Sequence, residues 1–488
     1  MHSQTNFLHS VKANMTLTKQ LKDYTICFFS ILVLASSCKV ADAPDMPDSP
    51  QLPQAFRTEG DSISSADIVW REYFNDPYLL NLIDTALKNN FDLKTAVQRI
   101  EVARVQYDQR HGAMLPSVDA RYRLRSGDLY DNLFRGTIYG DRNVVRQTRN
   151  HFLGFVSTWE ADLWGKLKSR KKAAYARFMA SEKARQLIVT SIVSEVAGMY
   201  YELLGLDKEL ETIEKNIEFQ QIALELIEIQ KIGGRATELA VQQFEAQLLR
   251  TKSLRYEKRQ SINEVENQLN LLLGRYPQLI ARGESILEQE LPEVVSAGLP
   301  SELLLRRPDI RQAELELVAA KADVEAARAE FLPSLTLTPY LGLHTRSIPS
   351  LFTTPESLVL GMLGGVTAPI FQQNQIQGQY DQSIAENLAA YYDYQQKIQT
   401  AYQEVLTNLQ RLENLQQAYE LRDQEAEVLL NAVNTSNDLF AAGYATYLEV
   451  ITAQNRVLEA ELSKTTTRKE TFQALVNLYR ALGGGWQN

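Results

Sequence analysis

One feature constrains this chain more than any other: it repeats itself. The run Gly443-Tyr444-Ala445-Thr446-Tyr447-Leu448 is matched 209 positions earlier by Gly234-Arg235-Ala236-Thr237-Glu238-Leu239, and the copies stay in step down to Leu273-Gly274 and Leu482-Gly483. A turn and the helix after it, repeated at constant length, predict a duplicated helical hairpin. Before the first turn, Gly165 to Gly233 contains no proline. Val189, Ile192, Val196, Met199, Leu203, Leu206, Leu210, Ile213 and Ile217 alternate spacings of three and four, and the stripe resumes at Leu224 and Ile227. That heptad rhythm predicts coiled-coil packing. At about 1.5 Å per residue the run would reach roughly 100 Å. Ile398, Tyr402, Val405, Leu409 and Leu412 do the same before the second turn, and Leu448, Ile451, Leu458, Leu462, Phe472, Val476 and Tyr479 after it.

Upstream of each hairpin the period changes to two. Val118, Ala120, Tyr122 and Leu124 alternate with Asp119, Arg121, Arg123 and Arg125, and Leu335, Leu337, Leu341 and Leu343 lie among Thr336, Thr338 and Tyr340. Met114-Leu115-Pro116-Ser117 and Phe331-Leu332-Pro333-Ser334 introduce the two strands, because a residue before proline is pushed toward extended geometry. Second strands follow, with Leu153, Phe155 and Trp159 in one repeat and Leu358, Leu360 and Met362 in the other. A polar loop from Ser126 to Asn150 separates the first pair. Alternation of this kind suits a soluble sandwich or a lipid-spanning barrel around a wet lumen. Four strands cannot close a barrel, since bacterial outer-membrane barrels start at eight. Cyclic assembly would solve this, and three chains would supply twelve strands, although the residues alone do not choose trimer over dimer.

The N-terminal segment reads as an export signal. Lys12, Lys19 and Lys22 precede a short apolar run from Ile26 to Leu34, followed by small residues and Cys38. The run is too short for a permanent membrane helix, and translation could begin at Met1 or at Met15. Leu34-Ala35-Ser36-Ser37-Cys38 resembles a bacterial lipobox, which makes Cys38 the expected lipidation site. Only Cys27 and Cys38 are present, and the mature chain keeps one thiol and no internal disulfide. Removing residues 1–37 deletes three Lys and one Asp and moves the net charge from −9 to −11. An acidic chain without a basic block argues against nucleic acid as a partner. No later stretch has eighteen consecutive apolar residues, so a crossing of the membrane requires a closed barrel.

The expected division is a lipoprotein signal peptide at 1–37, a lipidated tether at 38–69, and a first structural repeat at 70–274. That repeat holds strands near 117–126 and 152–161, a long helix at 165–232 and a helix at 237–273. A linker at 275–300 leads to a second repeat at 301–483, with strands near 334–343 and 357–367 and helices at 374–442 and 446–482. A short tail at 484–488 ends the chain. The fold class is mainly α with a membrane β-barrel part, each half reading helix, strand, strand, long helix, turn, helix.

Beyond this architecture, specific motifs resemble the TolC-like outer-membrane efflux family, in its lipoprotein branch serving resistance-nodulation-division (RND) pumps. They are the seventeen residues from Gly298 to Glu314, which include Arg306-Arg307-Pro308-Asp309, the run Ala326 to Ser334, Trp159-Glu160-Ala161-Asp162-Leu163-Trp164-Gly165-Lys166, and the two Gly-x-Ala-Thr-x-Leu turns. The resemblance implies a homotrimer with a twelve-stranded barrel in the outer membrane, a helical tunnel through the periplasm, and acylated Cys38 in the inner leaflet. It also implies a periplasmic adaptor (membrane fusion protein) and an inner-membrane RND transporter as partners, with the chain itself a passive duct for small molecules.

Carried over by motif, Leu448, Glu449 and Thr452 would form the periplasmic gate. Gly234, Ala236, Thr237, Gly443, Ala445 and Thr446 would form the adaptor-contact turns. Leu448 and Thr452, four apart, share a helix face, and threefold symmetry would make each a ring. Many relatives carry Asp at the position of Thr452, which leaves Glu449 as the acidic ring. The five histidines, His2, His9, His111, His151 and His344, form no metal spacing, so neither a metal, a cofactor nor an enzyme is expected. A duct for type I protein secretion and a non-transporting periplasmic coiled-coil scaffold are the rival readings.

Overall fold

The computed structural model describes residues 44–48, 51–56, 68–126, 149–291 and 298–487. The signal peptide, Met15, Cys38, most of the tether and nearly all of the Ser126 to Asn150 loop lie outside the described residues. In chain order the elements are α1 (Trp70–Tyr73), α2 (Pro77–Asn89), α3 (Phe91–Gly112), β1 (Ser117–Ser126), β2 (Arg149–Ala161), α4 (Lys166–Ile232) and α5 (Glu238–Leu272). The second half repeats them as α6 (Pro300–Arg306), α7 (Pro308–Ala329), β3 (Ser334–Thr345), β4 (Leu358–Thr367), α8 (Gln375–Ala441) and α9 (Tyr447–Ala481). The chain is thus mainly helical, with one four-stranded sheet.

Two units emerge. Among the described residues, one comprises those of Val118–Lys166 and Val324–Ile384, and the other those of Pro47–Ser117, Leu167–Asp323 and Ala385–Asn488. In the first, the sheet runs β1-β2-β3-β4, and β3 pairs antiparallel with both neighbours. Gly154 and Gly342 face each other across β2 and β3. A Cβ on Gly154 would lie 2.4 Å from Gly342 Cα, so glycine is what lets the two backbones converge there. Trp164 anchors the end of β2 by donating its indole N–H to the Pro333 carbonyl at 2.7 Å.

In the second unit α4, α5, α8 and α9 share a core with α1 and α2. Ile192, Val196 and Leu203 of the predicted stripe are fully or almost fully buried, as are Val193 and Ala197 beside it, and Phe472, Val476 and Tyr479 meet them from α9. Tyr73 stacks on Tyr479 with ring centroids 4.2 Å apart, and Tyr201 on Phe472 at 4.6 Å. Burial pushes the hydroxyls of Tyr73, Tyr200, Tyr201 and Tyr479 above the ordinary phenol range, so they stay neutral. Three of them act as donors: Tyr73 to the Leu475 carbonyl, Tyr479 to the Ile68 carbonyl, and Tyr200 to Asp76. An 18-residue window of α4 reaches a mean hydropathy of 1.4, yet 61% of it is buried. Its apolar content serves the helical core.

Two differences from the sequence pattern have identifiable physical causes. The helical period reads as one helix from Asp76 to about Gly112, but the structure breaks it at Asn90. The Asn90 side chain accepts from Leu93 N at 2.9 Å, capping α3, and donates to the Leu272 carbonyl at 2.9 Å, satisfying the end of α5. The stretch expected as a linker after Arg275 is packed, with Ile280 and Ile286 buried in the helical core.

Candidate functional site

The two turns end their long helices in the same way. Gly234 and Gly443 have φ of 71° and 81°, the left-handed conformation that a helix stop of this type demands. Arg235 N donates to the Gln230 carbonyl and Gly234 N to Lys231, and Tyr444 N and Gly443 N make the same bonds to Leu439 and Phe440. Thr237 then caps α5 by accepting from Ala240 N at 3.2 Å. Thr446 does more. It forms a reciprocal capping box with Glu449, whose carboxylate accepts from Thr446 N at 2.5 Å and from Thr446 Oγ1 at 3.1 Å. The first copy has Ala240 where the second has Glu449, so only the second turn is locked in this manner.

The turns sit side by side on a small core of their own. Ile227, Ala240, Val241, Phe244, Val450 and Ile451 are buried together, with Ala236, Phe440 and Tyr447 packed against them. Val450 and Ile451 point inward, so the next residues around the helix point out. Leu448 is 57% exposed, and Glu449 and Thr452 are exposed beside it. Thr452 Oγ1 donates to the Leu448 carbonyl at 2.7 Å, which ties the two outward positions into one turn of helix. Gly443 and Thr446 are exposed and Ala445 is half-buried, as are their counterparts Gly234, Thr237 and Ala236. The nine residues singled out at the turns therefore fall in one region of the second unit. The reciprocal bond of Glu449 follows a Thr-x-x-Glu pattern ahead of an apolar run, which the sequence carries.

The sheet carries the other candidate surface. Direct cross-strand partners lie on one face, which puts Leu153 with Leu343 and Leu358, and Phe155 with Leu341 and Leu360. Trp159 and Leu337, then Ala161, Leu335 and Val366, continue the same face. From Leu335 to Leu343 this apolar band is about 26 Å tall at ~3.3 Å per residue, close to the height of a lipid-facing band. It is uncovered: Phe155, Leu341, Leu360, Met362 and Val366 are all exposed, Leu360 by 77%. The opposite face carries Thr336, Thr338, Tyr340 and His344 with Phe152, Val156 and Glu160. In the order β1-β2-β3-β4 both outer strands leave one edge unpaired among the described residues.

The Arg306-Arg307-Pro308-Asp309 motif proves to be a tie between three helices. The Arg307 guanidinium is buried and donates to Asp309 at 3.0 and 2.7 Å, to Glu404 of α8 at 2.7 Å, and to the Ala481 carbonyl at the end of α9 at 2.9 Å. Burial alone would raise the Asp309 carboxyl, but the bonds and charge of Arg307 outweigh it and hold Asp309 below its usual range. Among the described residues no group of three or more His, Cys, Asp or Glu is placed to hold a metal ion.

Comparison with known proteins points the same way. The family described as "Outer membrane efflux protein" matches residues 82–275 and 299–484. The chain is 29% identical over 447 residues to the probable outer membrane lipoprotein SilC of Salmonella typhimurium, covering 89% of this chain and 93% of that one. It is 28% identical over 473 residues to the cation efflux system protein CusC of Escherichia coli, covering 94% and 98%. A crystal structure of a membrane protein from Pseudomonas aeruginosa superposes with a TM-score of 0.80 at 28% identity, covering 90% of this chain and 97% of that one.

Proposed function

The chain belongs to the outer membrane efflux protein family, and from that premise we propose that three copies form a passive duct, the outer-membrane component of a tripartite efflux system. The observation that carries this reading is the sheet. Four strands with one uncovered apolar face and two unpaired edges are incomplete as a unit, and closure with further copies removes both edges at once. Three chains give twelve strands, an even number within the range of outer-membrane barrels.

In this reading an inner-membrane RND transporter supplies the energy and a periplasmic adaptor joins it to the tips. The adaptor docks on the turns at Gly234, Ala236, Thr237, Gly443, Ala445 and Thr446. Leu448, Glu449 and Thr452 line the narrowest rings, where a leucine ring closes by dewetting and an acidic ring favours cations. Their outward placement beside the buried Val450 and Ile451 supports this. Cys38 carries the lipid. The chain acts as a conduit and not as an enzyme.

Deletion of the gene tests the reading, followed by exposure to drugs, bile salts, detergents, solvents, iron chelators, and silver and copper salts. We expect selective sensitisation, reversed by the intact chain, and recovery of the protein in outer-membrane fractions as a trimer. A deletion strain unchanged on every compound, with the protein soluble in the periplasm, would return the chain to a coiled-coil scaffold. At the gate, Leu448→Ala is expected to raise single-channel conductance in planar bilayers, and an unchanged closed-state conductance rejects the ring. Leu448 is the better probe, because removing the Glu449 carboxylate also dismantles a helix cap.

A further inference from the structure

The face of the sheet opposite the apolar band holds a cluster that conduction alone does not require. Phe152 stands opposite His344, and Val156 opposite Tyr340. Tyr340 stands opposite Gly361, and Thr338 opposite Leu363. A cavity lined from Arg121 of β1 to Leu363 of β4 marks this face as the concave one. Besides the Gly154 and Gly342 pair, a Cβ on Gly361 would lie 2.3 Å from Tyr340 Oη, so the tyrosine ring lies over a bare stretch of β4.

Arg121, Arg123, Phe152, Tyr340, His344 and Leu363 are among the residues around a cavity of about 330 Å³ on this face. Phe152 and Tyr340 meet edge to face there, with centroids 6.1 Å apart. The positive charge is poorly neutralised. Arg121 lies 3.3 Å from Asp119 with both side chains well exposed, at 40% and 55%, and such a pair in water gains little. Among the described residues no carboxylate pairs with Arg123. A basic pocket with an aromatic wall therefore stands in a chain whose net charge is −9.

We propose that this pocket is a binding station for organic anions that carry an apolar body. The guanidinium groups of Arg121 and Arg123 would take a carboxylate or sulfonate, which they match in geometry and charge. Phe152, Tyr340 and Leu363 would take the apolar part. The inference rests on the duct reading above. In a closed trimer the concave face becomes the lumen, and three copies place six of these arginines in one girdle, which favours anions as arginine rings do in other pores.

The test uses the full-length chain reconstituted in planar bilayers, beside the double variants Arg121→Gln/Arg123→Gln and Arg121→Lys/Arg123→Lys. Reversal potentials in a potassium chloride gradient read the charge, and block of chloride current by benzenesulfonate reads the combined pocket. We expect the chloride-to-potassium permeability ratio to fall at least twofold in the glutamine variant. Benzenesulfonate should need roughly tenfold higher concentration to block it. The lysine variant should keep the permeability ratio and lose part of the block. Channels of normal conductance with the same ratio and the same block in all three proteins overturn the pocket alone. If the unaltered chain forms no channels, the duct reading fails and this inference fails with it.

Discussion

Arg307 shows how one residue can look like a signature and act as a strut. It closes the start of α7, the middle of α8 and the end of α9 with four hydrogen bonds from a buried guanidinium. Arg307→Ala leaves Asp309 and Glu404 without their cation, and removal of one partner of a buried pair costs about 3–5 kcal/mol. Thermal unfolding followed by circular dichroism should show the loss, and a cost under ~1 kcal/mol would show that the tie is dispensable. Asp309 adds a pH dependence. Its folded-state value lies below the unfolded one, so between the two the unfolded chain binds more protons and stability rises with pH. The contribution is fully present above the ordinary carboxylate range and is lost as pH falls through the depressed value. Asp309→Asn should flatten that acid limb of the stability curve, and an unchanged limb would assign it to other carboxylates. The motif was visible in the sequence, but its role was not, because Glu404 and Ala481 lie 97 and 174 positions away.

Helix ends separate what local pattern reveals from what it hides. The heptad stripe, the two turns and the alternating strands were legible because each depends on spacing within one element. The break at Asn90 is only half legible: the cap it makes on Leu93 N lies three residues away, whereas the Leu272 carbonyl that its amide also bonds lies 182 positions away. The capping box at Thr446 lies between these cases: the Thr-x-x-Glu spacing is present in the sequence, but that the Glu449 carboxylate turns back onto Thr446 is decided by the folded turn. Four helix stops now allow a graded prediction. Gly234, Gly274, Gly443 and Gly483 all have positive φ, so alanine at any of them costs about 1–2 kcal/mol in backbone strain. At Gly234 and Gly443 a Cβ meets nothing within 4 Å. At Gly274 it would meet the Asn89 carbonyl oxygen at 2.5 Å, and at Gly483 the Arg306 backbone at 3.0 Å. Denaturant midpoints should therefore fall further for Gly274→Ala and Gly483→Ala than for the two turn variants. A reversed order would mean that the turns are held by contacts beyond the single chain.

At the scale of the whole molecule the decisive question is what covers the apolar face of the sheet. A soluble protein with Phe155, Leu341, Leu360, Met362 and Val366 exposed on one surface would present an aggregation site. In lipid the same surface is the ordinary exterior of a barrel, and alternation then assigns opposite rules to adjacent residues. Leu341 lies in the middle of the band between Phe155 and Leu360, whereas Thr336 lies on the concave face opposite Glu160 and Gly365. Arginine at 341 must enter hydrocarbon, at a cost of about 2–4 kcal/mol near the bilayer midplane, and a symmetric assembly incurs that cost in every copy. Arginine at 336 enters water beside a carboxylate. Leu341→Arg should therefore deplete the heat-modifiable assembled form from outer-membrane fractions, while Thr336→Arg assembles normally. Equal assembly of the two variants would mean that the face does not meet lipid. The barrel reading would then fall, and with it the threefold count of strands.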